Sequence, residues 1–202
     1  MPDQTKITGL HGIVVCGGMS RRMGKDKSML IYYDQPQCYH LYKLLLPYCE
    51  KVFISCNDLQ ANTIDAGYST MIDLPAYQSI GPMAALLSAF NQYADKDLLI
   101  IGCDYPFLTS NDLEQFLNSF QRIETAAAFY NSSALLYEPL LSYYNHQSRE
   151  SILNMHANNE HSLQYFLKNN HAFKFYPENL KSIESVDTEA GYIEAVKTIK
   201  HN

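Results

Sequence analysis

The chain has no tryptophan among its 202 residues, no Cys-x-x-Cys pair and no apolar run long enough to cross a bilayer. Its five cysteines are odd in number and irregularly spaced, which argues against a disulfide framework or a structural zinc site. The first ten residues are polar and lack the apolar core of a signal peptide. These absences predict a cytoplasmic protein with no membrane association.

Basic residues are also few, with 15 Lys and Arg against 21 Asp and Glu, giving a formal net charge of -6. This balance argues against nonspecific nucleic-acid binding, which requires a basic surface to neutralise phosphates. A single phosphate site needs only a few local cations and stays compatible with it. At this length, and with 47% hydrophobic residues, a single domain over residues 1–202 is expected.

Short apolar runs alternate with stretches of helical periodicity. This alternation predicts a doubly wound, mostly parallel α/β sheet with helices on both faces and ligands beyond the carboxyl ends of the strands. The tyrosines at 143–144 are expected to be half-buried surface residues. The predicted strands cover 13–16, 51–55, 70–73, 98–101, 126–129 and 173–176, and the predicted helices cover 37–46, 109–117, 153–155, 163–167, 188–199 and a segment opened by Pro82.

The most informative segment follows the first predicted strand. Gly17 and Gly18, then Ser20, Arg22 and Lys27, fall within a dozen residues. Glycine permits a close approach of the backbone, successive N–H groups form an anion nest, and Arg and Lys supply charge. The spacing matches neither Gly-x-Gly-x-x-Gly nor the Walker pattern. The segment therefore predicts a polyphosphate-binding loop of another type.

This segment meets the pattern G-G-x-S-x-R-M-G-x-D-K and resembles the signature loop of the molybdenum cofactor guanylyltransferases, a branch of the nucleotidyltransferases. The segments 81–86 (GPMAAL) and 103–108 (CDYPFL) are similar to two further motifs of that family, in the same order. The resemblance extends to about residue 113. It implies a Rossmann-like nucleotidyltransferase fold, with a nucleotide-binding half over about 10–113 and an acceptor-binding half over about 125–200.

The resemblance also implies roles for individual residues. Arg22, Lys27 and Asp104 would be catalytic, because nucleotidyl transfer depends on positioned cations and electrostatic stabilisation. The simpler alternatives are a solvated lysine at position 27 and a turn or capping aspartate at position 104. The implied nucleotide contacts are Cys16, Gly17, Gly18, Ser20, Lys27, Asn57, Asp73, Gly81 and Pro82.

A magnesium ion is the implied cofactor, held by Asp104 and Asp187. Magnesium is commonly bound by one or two carboxylates together with substrate phosphates and water. Asp187 lies in a segment similar to the one that closes the nucleotide site of the family, although Ser185 and Asp187 replace two asparagines. The alternative for Asp187 is an N-cap of the last helix.

The nucleoside contacts have alternatives as well. Asn57 could use its amide on a base edge or ribose, or it could belong to a turn. Asp73 could contact the nucleoside, or lie at a solvated strand end. Gly81 and Pro82 would bring a helix N-terminus to the ligand. The two glycine motifs resemble the guanylyl branch, but residue chemistry alone does not choose the base.

Together these features predict transfer of GMP from GTP to molybdenum molybdopterin, releasing pyrophosphate. The alternatives are a cytidylyltransferase, a sugar-phosphate nucleotidyltransferase, or a non-catalytic GTP-binding module. Segment 160–167 (EHSLQYFL) resembles an acceptor-side helix of the family but lacks its two arginines. Arg149, Lys168 or Lys174 could compensate for them, and the alternative is a helix that serves packing alone. The chemistry implies transient contact with molybdopterin synthesis proteins or molybdoenzyme chaperones.

Overall fold

The computed structural model describes residues 6–16 and 26–201. Four residues of the predicted phosphate loop, Gly17, Gly18, Ser20 and Arg22, lie outside the described residues. The strands are β1 (Ile7–Val15), β2 (Cys49–Cys56), β3 (Thr70–Ile72), β4 (Asp97–Gly102), β5 (Ala126–Asn131), β6 (Leu136–Tyr144) and β7 (Phe173–Phe175). The helices are α1 (Gln37–Leu45), α2 (Asp58–Ala61), α3 (Met83–Gln92), α4 (Ser110–Asn118), α5 (Arg149–Ala157), α6 (Leu163–Asn169) and α7 (Glu189–Lys200).

All seven strands form one sheet, in the order β3-β2-β1-β4-β6-β5-β7. The pairs β1–β2, β1–β4, β2–β3 and β5–β7 are parallel, whereas β6 runs antiparallel to both β4 and β5. The sheet is therefore mixed and mostly parallel within a single α/β domain, which confirms the predicted fold class. The carboxyl ends of β1, β2 and β4 meet at one edge of this sheet.

Two apolar cores cover the two faces of the sheet. On one face, Leu41 of α1 and Phe116 of α4 are buried against alternate strand residues such as Val14. On the other face, Phe90 of α3 and Phe166 of α6 pack against the intervening strand residues. Because β4 is buried along its whole length, its continuous apolar run is that of a central strand covered on both sides.

Strand β6 was not predicted, and it corrects the expectation for the tyrosines at its end. Tyr143 and Tyr144 are both 0% exposed, one on each face of the sheet, rather than half-buried at the surface. The Tyr143 hydroxyl is satisfied by donating to the Asp97 carboxylate at 2.8 Å. Tyrosine can be fully buried in this way when its hydroxyl finds a partner.

A large bulge interrupts the pairing of β5 with β6. Ala128 pairs with Ser142, but Tyr130 pairs with Tyr137, so four residues of β6 lie opposite Phe129 alone. The bulge contains Pro139, which has no N–H to donate to a ladder. Bulges re-aim side chains, and this one lies at the carboxyl edge of the sheet, where the strand ends converge.

Among the described residues, the helices are all too short or too polar to traverse a lipid bilayer.

Candidate active site

The candidate site begins where β1, β2 and β4 end at the same level. Val15 is in register with Ser55 on one side and with Gly102 on the other. The pairing continues one residue further, because the Cys16 N–H donates to the Ser55 carbonyl at 3.1 Å and the Cys103 N–H donates to the Val15 carbonyl at 3.2 Å. Cys16, which precedes the first sequence motif, and Cys103, which begins the third, are thereby brought side by side.

A cavity of about 520 Å³ opens at this edge. Five residues from four separate sequence segments, all implied as nucleotide contacts, line it together: Cys16, Asn57, Asp73, Gly81 and Pro82. Its volume lies within the range of small-molecule sites. The structure thus assembles these predicted residues into one place, while their contacts with a nucleotide stay a prediction.

Gly81 shapes one wall of this cavity through its backbone. Its φ is +65°, a conformation that residues with a side chain rarely adopt. The Gly81 carbonyl accepts a hydrogen bond from the Ala84 N–H at 3.0 Å, which starts α3 with Pro82 at its N-cap. The turn directs the beginning of a buried helix toward the cavity, and the contact of this helix with a ligand stays a prediction.

Asp73 is half-buried rather than at a solvated strand end. Its carboxylate accepts a hydrogen bond from the Ser55 hydroxyl at 2.7 Å. Burial raises the pKa of Asp73, and this hydrogen bond partly opposes the rise. The side chain is therefore held at the wall of the cavity by a residue of the neighbouring strand.

Asn57 has a definite structural role. Its side-chain oxygen accepts a hydrogen bond from the Gln60 N–H at 2.9 Å, and the Gln60 side chain accepts one from the Asn57 N–H at 3.2 Å. This reciprocal capping box starts α2. Asn57 therefore caps a short helix and also lines the cavity, so the turn alternative and the binding alternative do not exclude each other.

Gln60 is a site residue that the sequence did not reveal. Its side-chain amide donates to the Cys16 carbonyl at 3.3 Å and to the Asp26 carboxylate at 2.7 Å. Cys16 and Asp26 flank the segment 17–25 on its two sides. Gln60 therefore joins both ends of the glycine-rich segment to α2, and it lines the cavity as well.

Lys27 is presented by a short turn that Asp26 caps. The Asp26 carboxylate accepts from the Ser28 N–H at 3.0 Å and from the Ser28 hydroxyl at 2.6 Å. The Lys27 side chain is only 17% exposed, and its ammonium forms an ion pair with Asp187. The alternative of a freely solvated Lys27 is therefore wrong.

Asp187 does not cap the last helix, so that alternative is wrong. The N-cap of α7 is Thr188, whose hydroxyl accepts from the Gly191 N–H at 3.1 Å. Asp187 instead points its carboxylate at Lys27, across 160 residues of sequence. The neighbouring Val186 N–H donates to the Asp104 carbonyl at 2.8 Å, which brings this segment to the end of β4.

Asp104 completes the charged cluster. Its Oδ1 atom is buried and has no hydrogen-bond partner among the described residues. Burial raises the pKa of Asp104, and the charge of Lys27 opposes that rise, whereas Asp187 adds to it. A buried carboxylate oxygen that lacks a partner is unfavourable unless a ligand, an ion or water satisfies it.

The bulge in β6 supplies the opposite wall. Leu140 lines the cavity, and a Cβ atom built on Gly102 would meet Leu140 at 3.1 Å and the Asp104 carboxylate at 2.5 Å. Glu138 accepts a hydrogen bond from the Tyr105 hydroxyl at 2.8 Å, and burial raises the pKa of this glutamate. Sequence reasoning missed both β6 residues, because the strand itself was not recognised.

The cavity and the charged cluster adjoin each other. The Sγ atoms of Cys16 and Cys103 are 3.7 Å apart. Cys16 lines the cavity, and Cys103 directly precedes Asp104 of the charged cluster. Leu140 lines the cavity and also lies 3.1 Å from the position of a Cβ atom built on Gly102, two residues before Asp104. Six of the implied nucleotide contacts lie within the described residues, and all of them except Lys27 line the cavity. Lys27, Asp104 and Asp187 form the charged cluster beside it.

Solved structures with this architecture define the class of the fold. "Molybdopterin-guanine dinucleotide biosynthesis protein A" from Archaeoglobus fulgidus superposes with a TM-score of 0.78 at 17% identity, covering 95% of this chain and all of that one. A CMP:2-keto-3-deoxy-manno-octonic acid synthetase complexed with CTP superposes with a TM-score of 0.73 at 14% identity, covering 96% of this chain and 99% of that one. The chain has the nucleotidyltransferase fold.

The particular family follows from sequence. The model of the family described as "MobA-like NTP transferase domain" matches residues 12–173, and the chain belongs to this family. This confirms the resemblance inferred from the three motifs.

Curated relatives agree with this assignment. A "Molybdenum cofactor biosynthesis bifunctional protein" of Synechocystis is 30% identical over 92% of this chain and 53% of its own length. A "Molybdenum cofactor guanylyltransferase" of Shewanella sediminis is 29% identical over 56% of this chain and 58% of its own length. Another, of Haemophilus influenzae, is 27% identical over 78% of this chain and 82% of its own length. The chain thus spans little more than half the length of the first two.

Proposed function

We propose that this protein transfers GMP from GTP to molybdenum molybdopterin, giving the guanine dinucleotide form of the cofactor and pyrophosphate. The observation that carries the proposal is the juxtaposition described above. A cavity lined by five implied nucleotide contacts lies directly beside the cluster of Lys27, Asp104 and Asp187. The names of the curated relatives support molybdopterin as acceptor and guanine as base.

Asp104 and Asp187 are the residues that would hold a magnesium ion. Their chemistry fits, because two carboxylates suffice for magnesium when substrate phosphates complete its shell. The unpartnered Oδ1 of Asp104 provides an oxygen that a cation would satisfy. When bound, the ion would neutralise charge on the phosphate oxygens.

In the reaction itself, an oxygen of the acceptor's terminal phosphate attacks the α-phosphorus of GTP. The new bond is the P–O bond of the product diphosphate, and the bond that breaks is the one between the α-phosphorus and the oxygen leading to the β-phosphate. Pyrophosphate leaves with the electron pair. Because the attacking phosphate is already anionic near neutral pH, no side chain has to remove a proton.

The chain's own contribution is positioning and charge. Lys27 would leave its ion pair with Asp187 partly or fully for the phosphate oxygens, where charge increases during transfer. Gln60 and Asp26 hold the ends of the glycine-rich segment, and Gly81 with the start of α3 borders the nucleoside side of the cavity. Arg22, Gly17, Gly18 and Ser20 keep their proposed phosphate contacts on sequence grounds alone. A cytoplasmic location and contacts with cofactor synthesis proteins or chaperones remain predictions.

A second candidate retains the donor site but uses another base or acceptor. It is favoured by His161, which stands where the resemblance leads one to expect an arginine. The His161 Nε2 atom lies 3.2 Å from Nδ1 of His156, so one imidazole donates a hydrogen bond to the other where the resemblance leads one to expect a fixed cation. This pair would suit a less strongly anionic acceptor, such as a sugar phosphate.

The test uses the purified full-length chain with magnesium, molybdopterin carrying molybdate, and α-labelled GTP or CTP. Transfer of label from GTP alone, with stoichiometric pyrophosphate, is the expected result. Lys27→Ala should abolish it, while circular dichroism shows an unchanged fold. Transfer from CTP alone would mean that the donor nucleotide carries cytosine instead of guanine. GTP binding without pyrophosphate release, also with sugar phosphates as acceptors, would favour a binding module and overturn the proposal.

A further inference from the structure

A second cavity, of about 600 Å³, lies at the same edge of the sheet as the candidate active site but beyond β6. Strands β4 and β5 both run antiparallel to β6, so the end of β5 and the end of β4 are at the same edge. The cavity is lined by the end of β5, the β5–β6 turn, the start of β6, helix α6, the α6–β7 connection and β7. None of its lining residues belongs to the proposed nucleotide or metal site, although Lys168 and Lys174 are two of the cations named above as substitutes for the missing acceptor-side arginines.

Its floor is aromatic and rigidly held. The rings of Tyr130 and Tyr137 are buried and meet edge to face, with centroids 5.1 Å apart. The Tyr137 hydroxyl donates to the Ala172 carbonyl at 2.8 Å. The Gln164 side chain bonds the Tyr137 backbone on both sides, accepting from its N–H at 3.2 Å and donating to its carbonyl at 2.8 Å. These contacts therefore hold the Tyr130 and Tyr137 rings in place before any ligand binds.

Its walls carry positive charge. The Lys174 ammonium lies 4.2 Å from the centroid of the Tyr130 ring and 5.7 Å from that of Tyr137, so the rings hold it at the cavity. Lys168 and His171 line the same cavity, and no Asp or Glu is found among its described lining residues. This local excess of cations occurs in a chain whose net charge is -6.

We propose that this second cavity binds a small molecule that carries a phosphate group on a flat ring. Lys174 and Lys168 supply the charge that a phosphate oxygen seeks, and His171 can add a donor. The corner of Tyr130 and Tyr137 offers apolar surface for the ring. Leu136 and Leu135, which are exposed at the hairpin, extend that apolar surface along the rim.

Two sources could provide this chemistry, namely the phosphate-bearing acceptor of the proposed transfer or a separate effector. The acceptor is compatible with the fold, because Tyr137 in this cavity and Leu140 in the candidate active site are three residues apart on β6. Three residues of strand span roughly 10 Å. Binding in the second cavity does not depend on the proposed function, and only the acceptor assignment rests on it.

The first experiment measures binding of phenyl phosphate to the full-length protein by isothermal titration calorimetry at low salt, without nucleotide. Phenol and inorganic phosphate, each lacking one half of the probe, are expected to bind more weakly. Lys174→Gln and Lys168→Gln should each weaken phenyl phosphate binding about tenfold, because each removes a charged contact. Lys51→Gln is the matched control, since this lysine also lies over a tyrosine ring, 5.5 Å from the centroid of Tyr93, but outside the cavity.

Absence of phenyl phosphate binding, or equal binding by the wild type and both cavity variants, would overturn the inference. A second titration then identifies the source. If molybdopterin displaces phenyl phosphate, and Lys174→Gln raises the KM for the acceptor but not for GTP, the cavity binds the acceptor. If phenyl phosphate binding persists beside bound molybdopterin, the cavity serves a separate effector. Lysine-dependent phenyl phosphate binding without GMP transfer would refute the proposed function and leave this inference standing.

Discussion

The side-chain amide of Gln60 donates a hydrogen bond to the carboxylate of Asp26, with the two atoms 2.7 Å apart. The same amide nitrogen also reaches the Cys16 carbonyl. Gln60, on a helix of four residues, therefore bonds to both ends of the segment that carries the predicted phosphate-binding motif. Within the described residues no other side chain donates to both of these flanks.

Gln60→Glu should raise the KM for GTP about tenfold, with a smaller change in kcat. The carboxylate still accepts the hydrogen bond from the Asn57 N–H, but it loses both donated bonds and faces Asp26 with like charge. Steady-state kinetics with varied GTP measures the effect. Asn62→Asp is the matched control, because Asn62 follows the same helix and its side chain donates to the Asp58 carbonyl rather than to either flank of the glycine-rich segment. Equal KM values for the two variants would show that the hydrogen bonds donated by Gln60 do not affect GTP binding.

Asp104→Asn should lower turnover about 100-fold or more, as expected when a positioned charge is lost from a site of charge stabilisation. The fold should be retained, because burial already raises the pKa of this carboxyl and a neutral amide is less costly to bury. The test combines pyrophosphate release with thermal unfolding. Asp95→Asn, at the opposite edge of the sheet, should leave both unchanged. Turnover near that of the wild type in Asp104→Asn would remove this residue from the site.

Gly102→Ala should reduce kcat about tenfold or more and lower the unfolding temperature by a few degrees, because the added Cβ also crowds Leu140. The added Cβ would lie 2.5 Å from the Asp104 carboxylate, which must move, and small misplacements at a reacting centre are costly. Gly67→Ala is the control, because nothing lies within 4 Å of its added Cβ. Wild-type kinetics in Gly102→Ala would mean that the observed position of the Asp104 carboxylate is not the one used in transfer.

Asp97 predicts how stability depends on pH. Burial alone would raise the pKa of Asp97, but hydrogen bonds from His146, Arg122 and Tyr143 outweigh it, so the pKa is lowered. A lowered pKa means that the contribution to stability is present above the unfolded-state pKa, about 4, and is lost as the pH falls through the folded-state value.

Asp97→Asn should therefore reduce the free energy of unfolding by about 1 to 3 kcal/mol at pH 7. The difference from the wild type should shrink as the pH is lowered below about 4. Urea unfolding at several pH values measures both quantities. A difference that stays constant over the whole range would show that the charge of Asp97 contributes nothing.

The sequence predicted the parts of the site that follow continuous apolar strands. The first strand with its predicted end at Cys16, the fourth strand ahead of Cys103 and the start of α3 after Pro82 were all recognisable, because each combines a local pattern with a known geometry. The cavity lies at the edge of the sheet where these local signals predict the ligand.

The remaining site residues depend on contacts that are distant in sequence. Gln60 lies on a helix of only four residues, too short to have a periodicity, and its partners are 34 and 44 residues away. Strand β6 is difficult to recognise in the sequence, because it contains Glu138 and Pro139 and because a bulge breaks its alternation of buried residues. The pairing of Lys27 with Asp187 requires the complete fold.

The position of β6 also bears on how this protein can be divided. Because the strand from the second half of the chain is inserted between β4 and β5, a fragment ending near residue 125 would expose the buried edge of β4 to other molecules. Unprotected apolar edges recruit further strands and aggregate. The two halves are therefore expected to be insoluble when expressed separately, and a split reporter or a fusion insertion should instead be placed in the exposed turn around Gly67.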